Sequence, residues 1–351
     1  ADWRSQVVRE AFDLVRTRIR TNHAFDVTPD TLRLDEAAGL PSVNQATMNL
    51  ALMAVLEGAG LDVRPVYHSG GRFGAMDTLF PSVFQLQGVV LAVDGVSGGE
   101  VSGDSGGDSG GGSGAPLLLD ASFEHGRPGM VNPDVSGQAG FRLGRDGGHD
   151  WVDLRGAHDR YWSGFDVEGR LTAEGALAGT LRVELKGYAA RSASMAVAGG
   201  QTPSEYMQSV FLDRYQDVAL DGTRFEDLYE KEGTVRMEAT FAITGYALDF
   251  TDAFDLPPLP VGYLQENPYP APERRTPLEM LAPERLDVQM SLKLPEGQRA
   301  MVDEGVDWLE MPGARFALKI ESAKREAGEL RYLAMLDRSG TRFEVDDYGQ
   351  V

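Results

Sequence analysis

Apolar residues recur along the first third of the chain with two distinct spacings. Over residues 6–21, Val8, Phe12, Val15 and Ile19 follow one another at intervals of four, three and four. This spacing predicts an amphipathic helix with one buried stripe. Over residues 44–56 the apolar set goes nearly all round, with Ala46, Met48, Leu50, Leu52, Met53, Val55 and Leu56. A helix of that kind lies inside a core, and Gly58 and Gly60 supply its stop. Leu61, Val63, Pro65 and Tyr67 then alternate as in a strand, which Pro65 predicts to be an edge or bulge. Residues 89–93 and 117–119 are short apolar runs suited to buried strands.

From about residue 151 the pattern changes to a period of two. Residues 180–188, 235–243, 286–294, 316–320 and 330–336 alternate apolar and polar positions, as half-solvated antiparallel strands do. One helix interrupts them near 203–215. Thr202 is its N-cap, Pro203 its first turn and Glu205 the partner in a capping box. The expected fold class is α+β, in four parts: an α+β domain over 1–150, a β-rich domain over 151–256, a Pro-rich linker over 257–282 and a C-terminal β domain over 283–351. The β parts are expected to be β-sandwich-like. Residues 95–114 are dominated by Gly, Ser and Asp, cannot bury a core, and read as a flexible insertion.

Composition narrows the chemistry. The 351 residues carry a formal charge of −21, which disfavours nucleic acid and anionic lipid. No segment approaches the roughly 20 apolar residues of a membrane span, so membrane insertion is not expected. The chain begins at Ala1 without a signal-like segment, and reads as processed or trimmed. It contains no cysteine, which removes disulfides, thiolate metal sites and thiol catalysis together. The five histidines (His23, His68, His125, His149 and His158) never fall in a zinc-type spacing, and neither a metal nor a cofactor is expected. Asp104 and Asp108 do not complete a calcium-loop pattern.

Several motifs occur in a telling order. Asn44-Gln45-Ala46-Thr47-Met48-Asn49-Leu50-Ala51-Leu52 is followed by Ala59-Gly60-Leu61-Asp62-Val63-Arg64-Pro65-Val66. Phe84-Gln85-Leu86 comes next, then Leu118-Leu119-Asp120-Ala121-Ser122. The block resembles the bacterial transglutaminase-like, papain-related domain. There a G-N-C-A-D-x-N-L-L-L helix start precedes an A-G-L-x-A-x-P-V strand, an F-N-H or F-N-Y strand and an L-L-D-A-T strand. Pro128-Gly129-Met130 and Gly137-Gln138 also resemble the segment after the aspartate strand. Glu266-Asn267-Pro268, Glu273-Arg274-Arg275 and the segment Leu292-Lys293-Leu294-Pro295-Glu296-Gly297 resemble the uncharacterised β domain trailing such proteins.

The resemblance implies a helix-borne cysteine nucleophile, a histidine base on the neighbouring strand and an aspartate that orients it. Here the cysteine slot is Gln45, the histidine slot is Leu86 (Gln87 if the alignment slips by one), and only Asp120 is retained. An amide is no nucleophile and a leucine no base, so no catalytic residue is assigned. Asn44, Gln45 and Asp120 are candidates to grip a peptide or protein ligand. The alternative is that they satisfy helix N–H groups and strand-end backbone. Ser42 reads as a helix cap, and His68 as a surface residue at a strand end. His125 could approach the former cleft through its loop. Tyr263 and Tyr269, among prolines, form either a docking patch or a packed linker.

Two functions follow. The first is a catalytically inactive module that binds or scaffolds at the cell envelope, in a periplasmic or extracellular setting implied by the resemblance. The alternative is an amide hydrolase or acyltransferase with relocated catalytic residues, and a blander reading makes both halves structural spacers. The resemblance also implies a further β-rich domain preceding this chain in the full-length protein.

Overall fold

A computed structural model describes residues 3–24, 26–70, 76–79, 82–96, 115–156, 160–213, 215, 217–228, 233–250, 253–256, 275, 277–280, 282–298, 309–311, 313–322 and 328–345. The chain is mixed α+β and forms two compact units, Ala1–Asp159 and Arg160–Val351. The insertion from 97 to 114, with Asp104 and Asp108, lies outside the described residues. So does 257–274, with Tyr263 and Tyr269.

The first unit begins with helices α1 (Trp3–Arg18), α2 (Leu34–Gly39) and α3 (Gln45–Gly58). Five antiparallel strands follow: β1 (Val63–His68), β2 (Gly88–Val93), β3 (Leu117–Leu119), β4 (Ala139–Leu143) and β5 (His149–Asp153), in the order β3-β2-β1-β4-β5. The apolar stripe of α1 (Val8, Phe12 and Val15, with Ile19 beyond its end) packs with Leu52 and Leu56 of α3 and with Val63, Leu91, Val93 and Leu119 of the sheet. The other face of the sheet, with Val66, Val90, Ala92 and Leu118, packs against Val131, Val135 and Leu154.

The chain leaves α3 through Gly60, whose φ of 83° suits glycine. Leu61 N–H donates back to the Leu56 carbonyl at 3.1 Å, which closes the helix end. Strand β1 is central, not at an edge as Pro65 suggested. β4 pairs with it only at Val66 and Tyr67, so the proline sits where one side of the ladder is absent.

The second unit opens with β6 (Tyr161–Leu171), β7 (Leu177–Gly187), α4 (Tyr188–Ala198), α5 (Pro203–Phe211), β8 (Val218–Glu226) and β9 (Thr234–Ile243). The hairpin β10 (Leu248–Phe250) and β11 (Ala253–Asp255) comes next, then β12 (Leu278–Glu279), β13 (Glu284–Lys293), β14 (Leu309–Met311), β15 (Ala314–Ser322), β16 (Glu329–Arg338) and β17 (Arg342–Phe343). One eight-stranded sheet runs β14-β15-β16-β13-β6-β7-β9-β8.

This corrects the expected division. Strands before 256 and after 283 share a single sheet, joined where β13 runs parallel to β6 from Glu284↔Tyr161 to Lys293↔Arg170. The sheet is not half of a sandwich: its inner face, with Phe165, Leu181, Met237 and Val288, shares one core with Ala193 of α4 and with Met207 and Phe211 of α5. The other face is charged. There Arg182 on β7 reaches Glu168 at 2.8 Å and Glu238 at 3.1 Å across the neighbouring strands. The capping box of α5 forms as expected, with Glu205 accepting from Thr202 N at 2.8 Å. No helix among the described residues is long and apolar enough to cross a membrane.

Candidate functional site

Helix α3 starts with Gln45 because Asn44 caps it. Asn44 Oδ1 accepts from Thr47 N at 2.9 Å, and Asn44 Nδ2 donates to the Thr28 carbonyl at 2.7 Å. Asn44, not Ser42, is therefore the cap. Gln45 N–H donates to the Ala24 carbonyl at 3.1 Å, fixing the helix start against the chain that leaves α1.

From this start the Gln45 side chain turns inward and is 2 % exposed. Its Nε2 donates to Asp120 Oδ2 at 3.3 Å. Asp120 follows β3 directly and is 1 % exposed. Its Oδ1 accepts from Asn49 Nδ2 at 3.0 Å, Ser122 N at 3.1 Å and Ser122 Oγ at 2.6 Å. Asn49 lies one helical turn after Gln45. It also donates to the Val89 carbonyl at 2.8 Å and accepts from Ala121 N at 2.7 Å, so one amide ties α3 to β2 and to the turn after β3.

Gln45 and Asp120, distant in sequence, are thus brought together. Leu86 does not join them; it closes a short 3-10 helix (Val83–Gln85) and offers only hydrocarbon. The residue of that segment which meets Gln45 is Gly88, the first of β2. A Cβ there would lie 2.1 Å from Gln45 Oε1 and 2.8 Å from His68 Nε2. His68 stands opposite Gly88 on β1 and is fully buried, not at the surface as its strand-end position suggested. Its Nδ1 is 3.1 Å from the Ser69 carbonyl, which can only accept, so Nδ1 carries a proton. Gln45 Oε1 is buried and has no hydrogen-bond partner among the described residues.

The electrostatics follow from burial. Desolvation pulls the His68 pKa below its ordinary value, opposed by the Ser69 carbonyl and by Asp120. Burial likewise lowers the pKa of Arg16 on α1, opposed by Asp13, Asp120 and Glu124. The Arg16 guanidinium donates Nη1 to the Gly126 carbonyl. His125 Nε2 lies 3.8 Å from Glu124, whose other oxygen is 3.6 Å from His23. Among the described residues, no group of three or more His, Cys, Asp or Glu side chains could hold a metal ion.

One titration is fixed by this geometry. In the folded state His68 holds its second proton more weakly than in the unfolded chain, so the unfolded chain binds more protons below about pH 6.5. Stability is full above that pH and falls as pH drops through the window between the unfolded and folded values. The slope from this group is about 1.4 kcal/mol per pH unit at most. Urea unfolding of wild type and His68→Gln between pH 5 and 7.5 will show the slope in the first and its reduction in the second; parallel curves would rule the effect out.

No protein-family description matches the chain, and no characterised protein matches it. Among solved structures, a protein of Parabacteroides distasonis provisionally described as a protease is similar, with a TM-score of 0.49 and 10 % identity. The match covers 99 % of this chain and 48 % of that one, so this chain spans about half its length.

Proposed function

We propose that the first unit is a transglutaminase-like, papain-related module without catalytic activity, serving to bind or scaffold a peptide or protein segment at the cell envelope. The observation that carries this reading is the Gln45–Asp120 hydrogen bond. The helix start that would hold a nucleophile holds an amide. The aspartate that would orient a base instead accepts from Gln45, Asn49 and Ser122. A carboxylate so occupied works as structure.

The order of elements supports the same reading: a helix, a central strand, a neighbouring strand and an aspartate at the end of a third. Asn44, Gln45 and Asp120 are all buried, so recognition by this module falls to other surfaces. Large apolar side chains stand in solvent on the segment between β1 and β2. Leu79 is 82 %, Val83 72 % and Phe84 89 % exposed, which favours contact with a partner over a mere spacer role. Against the hydrolase alternative, the Ser122 hydroxyl donates at 2.6 Å to a carboxylate that also accepts from Gln45 and Asn49, with no histidine between them.

Incubating the protein with a peptide library, and with amine donors, will give neither cleavage nor cross-linking. On a peptide array, binding that is lost in Phe84→Asp supports the reading. Turnover that disappears in Asp120→Asn, in a variant still folded by circular dichroism, would establish the enzyme instead.

A further inference from the structure

Burial usually silences a polar group by giving it a partner, but the Gln45 amide oxygen is left over. Gln45 Nε2 is spent on Asp120, while Gln45 Oε1, an acceptor, borders the point beside Gly88 where a Cβ would lie 2.1 Å from it and 2.8 Å from His68 Nε2. Reversing the amide brings no relief, because its oxygen would then face the Asp120 carboxylate. The ring cannot supply a donor in its neutral form, since its single proton sits on Nδ1 toward the Ser69 carbonyl.

We propose that Gln45, His68 and Asp120 form a one-proton device, in which protonation of His68 supplies the donor that Gln45 Oε1 lacks and links the imidazolium to the Asp120 carboxylate through the Gln45 amide. In the protonated state Nδ1–H holds Ser69 O, Nε2–H holds Gln45 Oε1, and Gln45 Nε2–H holds Asp120 Oδ2. The proton comes from solvent, and no bond other than N–H is made or broken.

The surroundings suit such a device. Among the described residues, Asp120 is the charged group acting on His68, with Arg16 of α1 and Glu124 behind it. Helix α3 brings only the neutral Gln45 and Asn49, and β2 brings Gly88. Arg142 of β4 is tied to Asp94 and Asp150. The ring shows a lowered affinity for its second proton, which places the switch on the acid side of neutrality. The consequence is a start of α3 anchored differently in acid and in neutral medium, independently of whether the module is inactive.

The test is a nitrogen-15 NMR titration of the wild-type chain, with His68 assigned by its loss in His68→Gln. The His68 ring is expected to titrate below 6.5, with the Gln45 side-chain amide shifting at the same midpoint. In Gln45→Met the midpoint is expected to fall by about one unit, a tenfold loss of proton affinity. Asp120→Asn, read in the same way, is expected to lower it too. A Gln45 amide that ignores the His68 titration overturns the proposal. So does a midpoint unchanged or raised in Gln45→Met, or a wild-type chain that unfolds before His68 titrates.

Discussion

Asp120→Ala will destabilise the first unit by about 3–5 kcal/mol, the range for removing one partner of a buried charged network. The loss leaves four buried donors aimed at an empty space: Gln45 Nε2, Asn49 Nδ2, Ser122 N and Ser122 Oγ. For a unit of this size the thermal midpoint should drop by roughly 10 °C. Asp120→Asn should fall in between, because it keeps one acceptor oxygen but sets an NH2 group against Gln45 Nε2. Thermal and urea unfolding followed by tryptophan fluorescence read both. A catalytic aspartate behaves otherwise, losing turnover while stability stays or rises. An unchanged midpoint in Asp120→Ala would therefore remove the structural role assigned to this carboxylate.

Gly88→Ala should cost about 2–3 kcal/mol, more than the intrinsic preference of a strand for alanine over glycine can return. The new methyl would meet Gln45 Oε1 at 2.1 Å, His68 Cε1 at 2.7 Å and His68 Nε2 at 2.8 Å. The Gln45 amide can move only by giving up Asp120, and the imidazole is fully buried. Shortening the offending side chain gives a sharp control. In a double-mutant cycle with Gln45→Ala, much of the Gly88→Ala penalty should vanish, because the methyl then occupies the space the amide leaves. Additive effects would show that the strain lies in the β1–β2 backbone instead.

How far these features could be read from sequence depends on how local they are. α1 and α3 were legible because Val8, Phe12 and Val15, and the apolar run around Leu52, carry their periodicity within a few turns. α4 was not. Tyr188 closes the alternating stretch over 180–188 that reads as a strand, and the break is made by Gly187 at φ 60°, with no side-chain cap to announce it. His68 was misread because nothing beside it in sequence reports burial; only the register His68↔Gly88 brings it into the cluster. The approach of Gln45 to Asp120 was legible through a resemblance in motif order, whereas Gly88 carries no signal of its own. The joining of β6 to β13 was invisible to periodicity, since alternation says which face is buried and never which strand lies alongside.

That junction decides where the chain can be cut. A fragment ending at Leu256 would keep β6 but strip its neighbour from the whole stretch between Tyr161 and Arg170. Ten residues of ladder would then lie open, a template for strands of other molecules. Such a fragment should sediment as aggregate on expression, whereas a chain cut at Asp159, between the two units, severs no strand of either sheet.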